Sequence, residues 1–112
     1  MISLSPQELK AKQESGSFFT LVDLQDADAY AHRHIPGAVH MEPSSTCNED
    51  CARLLKDKDA EIVLYGAFDE LGKGALVAEV LEKAGYSNVF RLSGGFMGWM
   101  EAGFSVEHGV ES

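Results

Sequence analysis

Apolar positions in this chain fall into short runs that alternate with amphipathic stretches. Ser5-Pro6-Gln7-Glu8 sets a Ser three residues before a Glu, with Pro at the first helical position. That is a capping-box start for a helix that ends near Ser15, with Gly16 as its stop. Phe18 to Leu24 (FFTLVDL) is apolar, β-branched and aromatic, the pattern of a buried strand. Asp26 caps a short helix from about Ala27 to His32, and the basic run His32 to His34 suits the negative end of its dipole. Pro36-Gly37 breaks the chain, Ala38 to Met41 reads as a second short strand, and Pro43 to Ser45 as a loop. Thr46 with Glu49 forms another capping box and opens a helix through Leu55.

Beyond the polar turn Asp57 to Ala60, Glu61 to Tyr65 (EIVLY) is apolar on both faces, as a strand in a covered parallel sheet must be. Gly66 to Gly72 follows as a loop. Leu76, Val77, Val80, Leu81 and Ala84 recur at helical spacing, which predicts a helix from about Lys73 to Ala84 that stops at Gly85. Asn88 to Leu92 is a further strand, Ser93 to Gly95 a turn, and Phe96 to Ala102 a last helix carrying Trp99. Short strands alternating with helices through right-handed crossovers predict an α/β fold, a parallel sheet with helices on both faces.

Composition narrows the function classes. With 112 residues, 45% hydrophobic and 24% charged, the chain has the make-up of one globular domain, expected to span residues 1–112 with a flexible tail from 106. Eighteen acidic residues against nine basic give a net charge of −9, which repels nucleic-acid phosphates and anionic membrane surfaces. No apolar run approaches the ~20 residues of a spanning helix, and MISLSPQELK lacks a basic start followed by a hydrophobic stretch. A soluble cytoplasmic protein is expected. Cys47 and Cys51 are too few for a disulfide-stapled scaffold, and their C-x3-C spacing on an expected helix suits a reducing compartment.

Four stretches, in order, resemble the rhodanese homology family of sulfurtransferases. They are Leu21-Val22-Asp23-Leu24 before a helix, His34-Ile35-Pro36-Gly37-Ala38-Val39, Gly85-Tyr86-Ser87-Asn88-Val89, and Leu92-Ser93-Gly94-Gly95-Phe96-Met97-Gly98-Trp99 with Ala102-Gly103 behind it. With the helix opening at Ser5, the match covers nearly the whole chain. The resemblance implies a rhodanese-like sheet of about five strands. Most of these positions also have a plain structural role: the glycines permit turns and close backbone approach, and Trp99 fills core.

In the family, the resemblance implies, a Cys at the end of the central strand takes up sulfur as a persulfide, and loop N–H groups steady the anion. The family pattern is C-x4-R. Here Ile62-Val63-Leu64-Tyr65 runs into Gly66, which has no side chain to carry sulfur. Lys73-Gly74-Ala75 stands opposite the family's R-S-A, so the loop Gly66, Ala67, Phe68, Asp69, Glu70, Leu71, Gly72, Lys73 is two residues longer and contains two carboxylates. Lys73 offers a point charge in place of a bidentate fork. Gln25 stands where the family usually has the Arg of D-x-R. Without Cys or Arg, the related cell-cycle phosphatase chemistry has neither attacker nor clamp.

Outside that loop, Cys47 sits in the first turn of the expected helix, where the dipole lowers a thiol pKa. It reads either as a small buried apolar residue or as a displaced nucleophile, and Cys51 lies one turn on. His32, His34 and His40 fit no compact ligand spacing with these cysteines, so neither a metal site nor a cofactor is expected. His34 is expected to make a turn hydrogen bond, His108 to be solvated, and Asp23 either to orient a group at the loop or to close a local network. Phe68 either folds over the core or, beside Asp69 and Glu70, faces a ligand. The Gly66–Lys73 loop is the expected place for an unidentified protein or small-molecule ligand, because ligands collect at the carboxyl ends of parallel strands. The reading is a non-catalytic binding or regulatory module in sulfur metabolism or signalling, with a sulfurtransferase or thiol redox protein using Cys47 as its rival.

Overall fold

The aliphatic run at Glu61–Tyr65 forms the middle of the sheet, and its four residues Ile62 to Tyr65 are buried. The computed structural model of the chain describes residues 2–16, 18–41, 55, 57–66 and 73–108. Along these residues run β1 (Ile2–Leu4), α1 (Pro6–Glu14), β2 (Phe19–Asp23), α2 (Ala27–His32), β3 (Val39–His40), β4 (Glu61–Tyr65), α3 (Lys73–Lys83), β5 (Val89–Leu92) and α4 (Gly95–Glu101). The five strands lie in the order β1-β5-β4-β2-β3, and every pair is parallel. The expected α/β fold, a central parallel sheet with helices on both faces, is therefore what the chain forms.

Alternate residues of each strand feed two apolar layers. On one face Val22, Ile62, Leu64 and Val89 pack with Val77, Ala78 and Leu81 of α3. On the other, Leu21, Val63 and Leu92 pack with Leu9 of α1 and Phe96 and Trp99 of α4. Within α3 the apolar face is narrower than its spacing predicts, since Leu76 is exposed.

Local chemistry explains the ends of the elements. Glu8 N–H donates to Ser5 Oγ at 3.0 Å and Ser5 N–H to Glu8 Oε1 at 2.8 Å, so the capping box opens α1. Asp26 accepts from Ala29 N–H and caps α2. Gly94 and Gly95 have φ of +80° and +62°, which turns β5 directly into α4.

Three expectations are corrected. Strand β1 has no counterpart among the expected strands; it pairs with β5, far along the chain, through Ile2 opposite Phe90. Phe18 lies outside β2 and is 87% exposed, because the strand begins at Phe19. The segment expected to be a flexible tail from residue 106 is held at its start: Val106 packs on the core and Glu107 forms a two-bond antiparallel bridge with His34. The helix expected over Thr46 to Leu55 lies outside the described residues except for Leu55, which is buried and whose carbonyl accepts from the Tyr86 hydroxyl.

Candidate functional site

Parallel pairing brings the carboxyl ends of β2, β3 and β4 to one edge, with Asp23 opposite both Tyr65 and His40. Asp23 is fully buried there. Its Oδ1 accepts from Gln25 N–H at 2.7 Å, and its Oδ2 from Gln25 Nε2 at 3.0 Å and from the Tyr65 hydroxyl at 2.6 Å. A buried carboxylate is tolerated when its lone pairs are occupied in this way. The Tyr65 oxygen in turn accepts from Ile35 N–H at 3.1 Å. Burial first, and then the neighbouring Asp23 charge, push the Tyr65 phenol far above the ordinary tyrosine range.

Asp23 thus closes a local network, one of the two roles its position predicts, and Gln25 is part of it. The network reaches further than the sequence indicates. His40 Nε2 lies 2.7 Å from the Gln25 carbonyl oxygen. Tyr30 stacks on His34 at 4.2 Å between ring centroids and lies 5.1 Å from the His40 ring. Sequence reasoning missed Tyr65, Tyr30 and Ile35 as partners. One signal was present: Tyr65 ends an otherwise aliphatic buried strand, and a buried phenol must find a hydrogen-bond partner.

Gly66 leaves β4 at this edge and is buried. Its carbonyl accepts from Phe96 N–H at 2.8 Å, which ties the strand end to the first turn of α4, while Leu24 N–H donates to the Tyr65 carbonyl at 2.7 Å. Backbone from three elements therefore frames the start of the loop. Ala67, Phe68, Asp69, Glu70, Leu71 and Gly72 lie outside the described residues, as do Cys47 and Cys51. Lys73 opens α3, which returns the chain from this edge towards β5.

The histidines separate. His34 is buried, His40 half-buried, and His32 and His108 exposed. His34 Nδ1 lies 2.9 Å from the Tyr30 carbonyl oxygen, the turn hydrogen bond expected of it. Among the described residues no group of three or more His, Cys, Asp or Glu side chains is placed to hold a metal ion. No helix among them is long and apolar enough to cross a membrane.

A family model described as a rhodanese-like domain matches residues 5–102. The chain belongs to the rhodanese-like family. Thiosulfate sulfurtransferase GlpE of Pseudomonas savastanoi pv. phaseolicola is 31% identical over 97 residues, covering 86% of this chain and 84% of the relative. The HTH-type transcriptional regulator Rv0324 of Mycobacterium tuberculosis is 31% identical over 108 residues, 96% of this chain but 46% of the regulator. Among solved structures, the rhodanese-like domain of the Anabaena sp. Alr3790 protein superposes with a TM-score of 0.83 at 30% identity, covering 100% of this chain and 83% of that one. This rhodanese-like domain is thus related to sulfurtransferases, and its sheet and helices are those of the family.

Proposed function

We propose that this rhodanese-like domain lacks the family's sulfur-carrying cysteine and acts as a non-catalytic binding or regulatory module in sulfur metabolism or signalling. The observation that carries the reading is the residue leaving β4. Gly66 follows Tyr65 directly, and it has no atom on which a persulfide can form. Lys73 stands where the family's loop arginine would close an anion cradle, and a point charge cannot form the bidentate fork. Similarity over nearly the whole chain to a protein named as a transcriptional regulator supports a use of this fold other than turnover. The ligand belongs at the Gly66–Lys73 loop, where Asp69 and Glu70 favour a basic or apolar partner over an anion.

The similarity to a thiosulfate sulfurtransferase favours one rival, sulfur transfer or thiol redox chemistry on Cys47 as a displaced nucleophile. One assay separates the two. Thiosulfate-to-cyanide sulfur transfer is measured for the wild type and for Cys47→Ser/Cys51→Ser, and background rates are expected for both. Turnover lost on changing Cys47 selects the rival. Turnover that survives both changes, in a chain left with no cysteine, overturns both readings.

A further inference from the structure

We propose that the contact between His34 and Glu107 is a pH-sensitive clasp that holds the segment from Phe104 to Glu107 onto the turn at Pro36. The inference is independent of what the Gly66 loop binds. It starts from the two ring nitrogens of His34, each of which faces an oxygen that can only accept. Nδ1 is 2.9 Å from the Tyr30 carbonyl, and Nε2 is 3.2 Å from Glu107 Oε1. A neutral imidazole carries one N–H, so in either tautomer one lone pair points at an acceptor. Only the doubly protonated ring satisfies both neighbours.

The two sides of the clasp differ in freedom. The Tyr30 carbonyl is fixed in the backbone of α2, whereas the Glu107 side chain is 54% exposed. Loss of the proton therefore leaves Nδ1 bonded to Tyr30 and turns the Nε2 lone pair towards the carboxylate, which has water to move into. Glu107 Oε1 also accepts, at 3.4 Å, from Gly37 N–H, so its departure loosens the turn from the outside. Two backbone bonds remain, His34 N–H to the Glu107 carbonyl at 2.9 Å and Glu107 N–H to the His34 carbonyl at 2.8 Å. Behind them Trp99 Nε1 donates to the Ser105 carbonyl at 2.9 Å, and the Phe104 ring lies 4.9 Å from that of Trp99. The segment thus weakens at its end without leaving the core.

Other titratable and charged groups surround His34. From α2 and its end come Tyr30, His32 and Arg33; beside Glu107 is His108; across the Tyr30 ring is His40. Tyr65 and Asp23 connect through Ile35 N–H on the sheet side. Of these, Glu107 makes the ion-pair contact with the ring.

The test is nitrogen-15 NMR and amide hydrogen exchange on the full chain, with protection factors compared at about pH 5.5 and pH 8, on either side of the range in which imidazoles titrate. Nitrogen-15 shifts report how many of the two His34 ring nitrogens carry a proton at each pH. Protection of the Glu107 amide is expected to fall about two- to fivefold at the higher pH, the range that exposed ion pairs give. Glu107→Gln keeps an acceptor and the fold but removes the charge, and its protection should not depend on pH. A single N–H on His34 at pH 5.5, equal wild-type protection at both values, or a pH dependence that persists in Glu107→Gln would each overturn the clasp.

Discussion

Tyr65 donates its hydroxyl proton to Asp23 at 2.6 Å and accepts the Ile35 N–H at 3.1 Å. One phenol therefore joins the ends of β2 and β4 to the turn that follows α2. Because Gly66 comes next, the same contact sets where the loop leaves the sheet.

Replacing Tyr65 with Phe leaves the buried Ile35 N–H without its acceptor and Asp23 with one donor fewer. The expected loss at neutral pH is about 1–3 kcal/mol by urea unfolding. The pH dependence follows from the raised phenol. Below about pH 10 both the folded and the unfolded chain hold this proton, and the contribution is complete. As pH rises further the unfolded chain releases it first, so wild-type stability falls by up to about 1.36 kcal/mol per pH unit for each such tyrosine. Tyr86 is raised by burial as well, so Tyr65→Phe should flatten the alkaline slope without abolishing it. An equal slope in both proteins would contradict the assignment.

Gly94 and Gly98 face each other at the start of α4. A Cβ on Gly94, at φ +80°, would lie 3.2 Å from the Gly98 Cα, and one on Gly98 would lie 3.2 Å from the Ser93 carbonyl oxygen. Gly94→Ala combines left-handed strain of about 1–2 kcal/mol with that crowding. Gly98→Ala meets crowding alone and gains helix propensity of up to about 1 kcal/mol. Thermal unfolding should rank Gly94→Ala clearly below Gly98→Ala, and the reverse order would show that φ is not the governing cost.

Gly66→Cys tests the loop as a sulfur cradle. With Asp69 and Glu70 nearby in sequence and no arginine fork, the new thiol is expected to alkylate no faster than an ordinary cysteine and to transfer little sulfur. Its alkylation rate and persulfide yield are the readouts. Fast persulfide formation would mean that the loop still works as a cradle.

The sign of charge at the loop gives another measurement. Two carboxylates outweigh the roughly half positive charge at the start of α3, so sulfate should not saturate the wild-type protein in the micromolar range. Amide shifts in the loop during a sulfate titration, for the wild type and for Asp69→Asn/Glu70→Gln, decide this. Binding confined to the neutralised variant supports the argument, and saturable micromolar binding by the wild type overturns it.

The elements that were legible in the sequence are those whose cause is local. The Ser5–Glu8 capping box and the apolar run Ile62 to Tyr65 each lie within a few residues and appear where expected. Strand β1 was not legible, since three residues are too few for their alternation to mark a strand and their partner lies beyond residue 88. Phe18 was misplaced because hydrophobicity does not say where pairing begins. At the site, Asp23 and Gln25 are neighbours in sequence and could be singled out, but the Tyr65 and Ile35 contacts exist only through strand register and a turn.

The sheet order has a consequence for how the chain is made. Among the described strands β1 is synthesised before the others, and its partner β5 after them. During synthesis β2, β3 and β4 can pair while the β5 position between β4 and β1 is still empty. The first strand made must therefore wait, and the edge it completes closes only after β5 has docked beside β4.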